Sequence, residues 1–182
     1  MRNPKDRSPL TRPEGSSEPG GEALLLTSAK PLRTLLVALD GSSPSLAAAG
    51  HALALGVALG ARLHAVYVDP DGEAEPEPLP EEGSPLLERT QNEGHVVQGI
   101  RGLYLLARVA SQRGTQVRLW LARGNIVDGI LRTATHVGAD AIFLGNTGRS
   151  GLGRLLLGSV AEEVLRRSPF PIYVVRGTPG AP

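Results

Sequence analysis

A chain of 182 residues with a formal net charge of +1 and 41% apolar residues suits one domain with a sizeable core and a tail. The near-zero charge argues against a general nucleic-acid binder, and the lack of cysteine excludes disulfides, a thiol nucleophile and a cysteine metal site. Aromatics are only 3%, so the core must be aliphatic, as is usual for helices packed on a buried parallel sheet.

Residues 1–30 are rich in Pro, Gly, Ser and Glu and read as a disordered tail, with Leu24-Leu25-Leu26 its one apolar triplet. Residues 31–177 form the predicted domain. Thr34–Leu39 is short and continuously apolar, a buried strand. Asp40-Gly41-Ser42-Ser43-Pro44 turns into a helix, with Ser43 as N-cap and Pro44 at the first helical position, and Gly60 stops it. Arg62–Val68 is the second strand. Residues 46–68 tempt a membrane reading, but His51, Arg62 and His64 interrupt them, and a helix followed by a strand explains them better. Residues 69–85, acidic and proline-rich, read as a long exposed loop. Leu86–Arg113 reads as a long helix, weakened and kinked by Gly94, Gly99 and Gly102.

Gln116–Leu121 is the third strand, and Asn125 caps a helix whose apolar residues Ile126, Ile130 and Val137 share one face. Asp128 is a first-turn carboxylate that favours that helix's dipole. Ala139–Leu144 is the fourth strand. A glycine-rich loop and the helix Val160–Arg167 come next, then the last strand, Phe170–Val175, and a short tail at 178–182. Five strands alternating with four helices mean an α/β fold, a parallel sheet covered on both faces.

The loop carries the functional signal. Gly145-x2-Gly148-x9-Gly158-Ser159 lies between a strand and a helix, which is how an anion site is built. Glycines let the backbone turn through positive φ and approach a ligand, and the helix start, with the N–H of Val160, attracts phosphate. Arg149 and Arg154 add two cations. Asp40, at the end of the first strand, can accept from a ribose hydroxyl or hold a divalent metal beside phosphates; the plainer reading is a turn aspartate bonding its own backbone. The histidines His51, His64, His95 and His136 never stand at i, i+4, which argues against a histidine metal site.

The stretch from Gly145 to Val160 resembles the ATP-binding loop of the universal stress protein family. Leu36-Val37-Ala38-Leu39-Asp40-Gly41-Ser42 resembles that family's first strand and aspartate, and Pro169–Arg176 its closing strand. The resemblance spans residues 32–177 and implies a doubly wound fold of strand order 3-2-1-4-5, which sets the first and fourth strands side by side. It implies an ATP site, accompanied by Mg2+ or Mn2+, and favours a functional Asp40, as ribose acceptor or metal ligand. Around the nucleotide it implies the backbone of Ala38 and Leu39, the glycines Gly145, Gly148 and Gly158, the hydroxyl of Ser159, and Asn146 in the variable place after the first glycine. Thr147 stands where relatives often carry a basic side chain. Val66–Asp69 matches the segment that reads adenine through backbone groups, with Tyr67 where an aliphatic residue is usual. The resemblance further implies a homodimer through the fifth strand, Ile172–Val175.

No Ser-His-Asp set, histidine-carboxylate dyad or Walker lysine stands near the loop, so the site looks made to hold ATP rather than to turn it over. The expected protein is a cytoplasmic, nucleotide-dependent regulator with an unspecified partner. A slow ATPase or nucleotidyl-transfer enzyme, and an interaction module without physiological nucleotide, are the alternatives; AMP and cyclic nucleotides stay open as ligands.

Overall fold

The computed structural model describes residues 30–80, 94–148 and 157–177. The readings of the two tails, of residues 86–93 as helix, and of Arg149 and Arg154 fall outside these residues. The described elements belong to one compact unit, which begins at Pro31. In chain order they are β1 (Thr34–Ala38), α1 (Ser43–Leu59), β2 (Arg62–Asp69), β3 (Ala74–Pro78), α2 (Gly94–Gln112), β4 (Val117–Arg123), α3 (Ile126–Val137), β5 (Ala141–Gly145), α4 (Ser159–Arg167) and β6 (Ile172–Val175).

The sheet runs β3-β4-β2-β1-β5-β6. Every pairing is parallel except β3 with β4. Five of the strands thus follow the expected 3-2-1-4-5 order. Alternate residues of each strand face opposite layers. Leu35, Val37, Leu63, Ala65, Tyr67 and Phe143 pack beneath α1 and α2. Leu36, Val66, Val68, Ile142 and Leu144 pack beneath α3 and α4. Residues 46–68 resolve into α1 and β2, and among the described residues no helix is long and apolar enough to cross a membrane.

The sixth strand corrects the reading of 69–85 as an exposed loop. Its Glu-Pro repeat has no strand propensity of its own, but proline is tolerated on an edge, where half the N–H groups need no partner. The ladder slips between Ala74 and Glu77, where Pro76 has no N–H to give. Beyond it the Leu79 N–H donates to the Leu119 carbonyl (2.9 Å), and the Leu79 side chain is buried.

One smaller correction concerns α1, and one added observation concerns α2. The N-cap of α1 is Ser42, one residue before the expected Ser43: its hydroxyl accepts from the Ser45 N–H at 3.4 Å. Gly60 closes the helix in the left-handed region at φ 62°, as expected. Within α2, Gly99 and Gly102 are packing positions. A Cβ on Gly99 would stand 2.2 Å from the Tyr67 ring, and one on Gly102 would stand 3.5 Å from the Gly41 Cα.

Candidate functional site

The order reverses between β1 and β5, whose register pairs Leu35 with Ala141 and Val37 with Phe143. Parallel α/β sheets place ligands beyond the strand ends at such a point. After β1, the Leu39 N–H donates to the Val66 carbonyl (2.9 Å), and the chain then turns away from the sheet. Asp40 makes that turn: its Oδ1 accepts the Ser42 N–H at 3.0 Å. Gly41 follows at φ +80°, where a Cβ would meet the Gln98 carbonyl oxygen at 2.6 Å, so only glycine fits. The Ser45 hydroxyl donates to the Ser42 carbonyl at 2.9 Å and ties the turn to α1.

The glycine loop comes to this turn from β5. A Cβ on Gly148 would lie 3.1 Å from Asp40 Oδ2. One Asp40 oxygen thus closes its own turn, the plainer of the two readings weighed for it, and the other faces the loop. Gly145 abuts the start of α1, where a Cβ would stand 2.7 Å from the Pro44 carbonyl carbon and the Ser45 nitrogen. At Gly158 the nearest atom to a Cβ would be the Thr147 Cα, 3.2 Å away. None of these three glycines has positive φ. The expectation that they serve to turn the backbone is thus corrected: they are small because other backbone, or a carboxylate, lies against them.

Asn146 fastens this loop from behind. Its N–H donates to the Val175 carbonyl (2.8 Å), and its own carbonyl accepts the Gly158 N–H (2.7 Å). Its side chain accepts the Gly177 N–H at 3.3 Å. Asn146 does not line the cleft, unlike its neighbours Gly145, Thr147 and Gly148.

The cleft itself holds about 850 Å³ of empty space, part of it open solvent. One side is Ala38, Leu39 and Asp40; another is Gly145, Thr147 and Gly148, closed by Gly158, Ser159 and Val160 at the start of α4. Gly158 is the N-cap residue of α4 and supplies no side-chain cap, so the first-turn N–H groups point their partial positive charge into this end. Apart from Ser45, the remaining wall is mainly apolar, with Val66, Val68, Ile126, Ile130 and Leu144. Tyr67 also borders the cleft, yet its ring packs in the layer under α1 and α2, against Gly99. Its side chain therefore belongs to the core behind the wall.

Pro70, Ile126, Ile130 and Thr147 line the cleft without having been singled out for it. The helical spacing of Ile126 and Ile130 marked a buried face but not what that face would border. Next to Pro70, ligand atoms of Asp69, Asp71 and His95 lie within 4.8 Å of one another. Asp69 already accepts the Asp71 N–H at 3.1 Å and faces the Arg123 guanidinium at 4.0 Å, so a positive group is in place there. At the opposite end of β2, His64 is buried and accepts the Trp120 indole N–H on Nδ1 at 3.0 Å. Burial, then the charges of Arg118 and Arg62, lower its pKa from 6.5 to about 4, so it is neutral near pH 7.

Comparison with known proteins adds an independent line. The model of the universal stress protein family matches residues 31–176. Universal stress protein MJ0531 of Methanocaldococcus jannaschii is 32% identical over 148 residues, which cover 79% of this chain and 82% of that protein. Among solved structures, the universal stress protein UspA from Lactobacillus plantarum superposes with a TM-score of 0.64 at 21% identity, over 81% of this chain and 100% of that one. A universal stress protein solved in complex with cAMP gives a TM-score of 0.54 at 25% identity, over 82% of this chain and 100% of that one.

Proposed function

Because the chain belongs to the universal stress protein family, we propose that its cleft binds an adenine nucleotide, ATP with Mg2+ or Mn2+ foremost, and that binding regulates the protein in the cytoplasm. The observation that carries this is the meeting of Asp40 with Gly148 in front of the uncapped start of α4, at the reversal of strand order. An anion placed there gains from the helix N–H groups, and the glycines leave it room. A metal accompanying the phosphates would take Asp40 as its protein ligand. The apolar wall of Val66, Val68, Ile126 and Ile130 suits a flat base. The cAMP complex of a family member supports a nucleotide as the class of ligand.

In this reading Ala38, Leu39 and Tyr67 contribute backbone, Ser159 a hydroxyl and Val160 an N–H, while Arg149 and Arg154 neutralise phosphate charge. Asn146 holds the loop rather than the ligand. Asp40 is the one ionisable side chain among the described lining residues apart from the buried Tyr67 phenol. That favours a site that holds ATP over one that cleaves it rapidly. The copy-to-copy contact we propose is β6 pairing with β6, which would give the regulated unit two sites.

Thermal melts of nucleotide-free protein test the reading. Mg-ATP at one hundred times its Kd should add about 2.7 kcal/mol to stability and raise the midpoint. Equal midpoints with and without millimolar Mg-ATP would remove it. Phosphate release no faster than from an Asp40→Ala control is expected in the same samples; faster release would favour the slow ATPase.

A further inference from the structure

Tyr67 sits between two regions that the sequence separates. Its backbone borders the cleft, flanked by the side chains of Val66 and Val68, while its ring, only 2% exposed, lies on the far side of the sheet. There the ring fills the place where α2 has no side chain. A Cβ on Gly99 would stand 2.2 Å from Cδ2, 2.3 Å from Cε2 and 2.7 Å from Cγ. No residue other than glycine fits at 99 unless the ring or the helix moves. One turn of α2 also presses on the other side of the cleft. The Gln98 carbonyl oxygen faces Gly41, next to Asp40, and a Cβ on Gly102 would lie 3.5 Å from the Gly41 Cα. Gly99 and Gly102 share one helix face, and Gln98 joins it through its backbone carbonyl. This single face thus backs both the Asp40–Gly41 turn and the β2 wall. Close-packed interiors transmit such displacements rather than absorb them.

We propose that Tyr67 and Gly99 are a size-matched pair through which α2 positions the cleft, so that Tyr67 is a positioning residue and nucleotide affinity is set from α2; this rests on the adenine-nucleotide reading above. The pair predicts a reversal of sign. In the presence of the ring, an added methyl at 99 pushes α2 and β2 apart and weakens binding. With the ring shortened to leucine, the same methyl fills the void and strengthens it.

Calorimetric titration of Mg-ATP into the full-length chain reads this directly. Gly99→Ala should weaken binding about tenfold, a coupling typical of residues in contact. Gly99→Ala with Tyr67→Leu should bind more tightly than Tyr67→Leu alone. Gly94→Ala on the same helix, whose Cβ would meet nothing within 4 Å, should leave affinity unchanged. Backbone amide NMR of the nucleotide-free protein is the second arm: Gly99→Ala should shift the amides of residues 38–40 and 66–68, and the double variant should bring them back. Wild-type affinity and unmoved amides in Gly99→Ala would overturn the proposal. So would weaker binding on adding Gly99→Ala to Tyr67→Leu, a comparison that stands even if Gly99→Ala alone does not fold. If the wild-type chain binds no nucleotide, the ligand reading fails, and the amide arm alone decides the positioning role.

Discussion

Gly145 and Gly148 stand three residues apart in one loop, yet a side chain would meet different things at each. At Gly145 it would meet backbone of α1, which cannot rotate away. Gly145→Ala should therefore cost about 1–3 kcal/mol, the usual price of overpacking, and lower the urea midpoint. At Gly148 the nearest atom is the Asp40 carboxylate, at the cleft surface. Gly148→Val should leave the unfolding free energy in urea within about 1 kcal/mol of wild type, since among the described residues no backbone lies in its path, and should abolish Mg-ATP binding in calorimetry. Wild-type affinity in that variant would sink the phosphate assignment. His64 makes a separate prediction about pH. Its native pKa, about 4, lies below the unfolded value of 6.5, so between these values the unfolded chain binds a proton that the native chain does not. Stability should be level above pH 6.5 in respect of this residue and should fall as the pH drops through that window. His64→Gln keeps an acceptor for the Trp120 indole but cannot titrate. Urea titrations at pH 7 and pH 5 should show a smaller loss in that variant than in wild type.

At the scale of elements, caps and breaks were legible to within one residue because their chemistry is local. Asn125 accepts the Asp128 N–H at 3.1 Å, as its position before an apolar helical run suggested. Asn125→Ala should cost about 1 kcal/mol in chemical denaturation. What sequence could not supply is the second partner of Asp128, the guanidinium of Arg167 on α4, because that contact spans 39 residues. The same limit explains β3. Its residues read as a loop, and they form a strand only because β4 offers an edge and Leu79 finds a buried seat. The candidate site divides in the same way. The order of Gly145, Gly148, Gly158 and Ser159 was visible, whereas the meeting of Asp40 with Gly148 depends on β1 lying beside β5, which periodicity does not encode. The fit of Tyr67 into Gly99 gave no signal at all, since a tyrosine in a strand and a glycine in a helix look unrelated until the layers close.

At the scale of the whole molecule, the two borders of the sheet differ. The outer strand β6 pairs only with β5 among the described residues, and it shows Tyr173, 43% exposed, stacked on Phe143. Backbone groups and apolar side chains together make such an edge a pairing surface. If two copies join there about a two-fold axis, light scattering at micromolar concentration should give twice the chain mass. Val174→Lys should return it to the mass of one chain by placing a charge between the copies. A single-chain mass for the wild type would end that idea. The opposite border is closed to such pairing, because β3 presents Glu75, Pro76, Glu77 and Pro78, two residues without N–H and two with like charge. A sheet with two adhesive borders adds copies without limit and becomes a fibre. If copies join through β6, a blunted β3 border would end growth after a single addition, and restoring N–H groups at 76 and 78 should then open a second border.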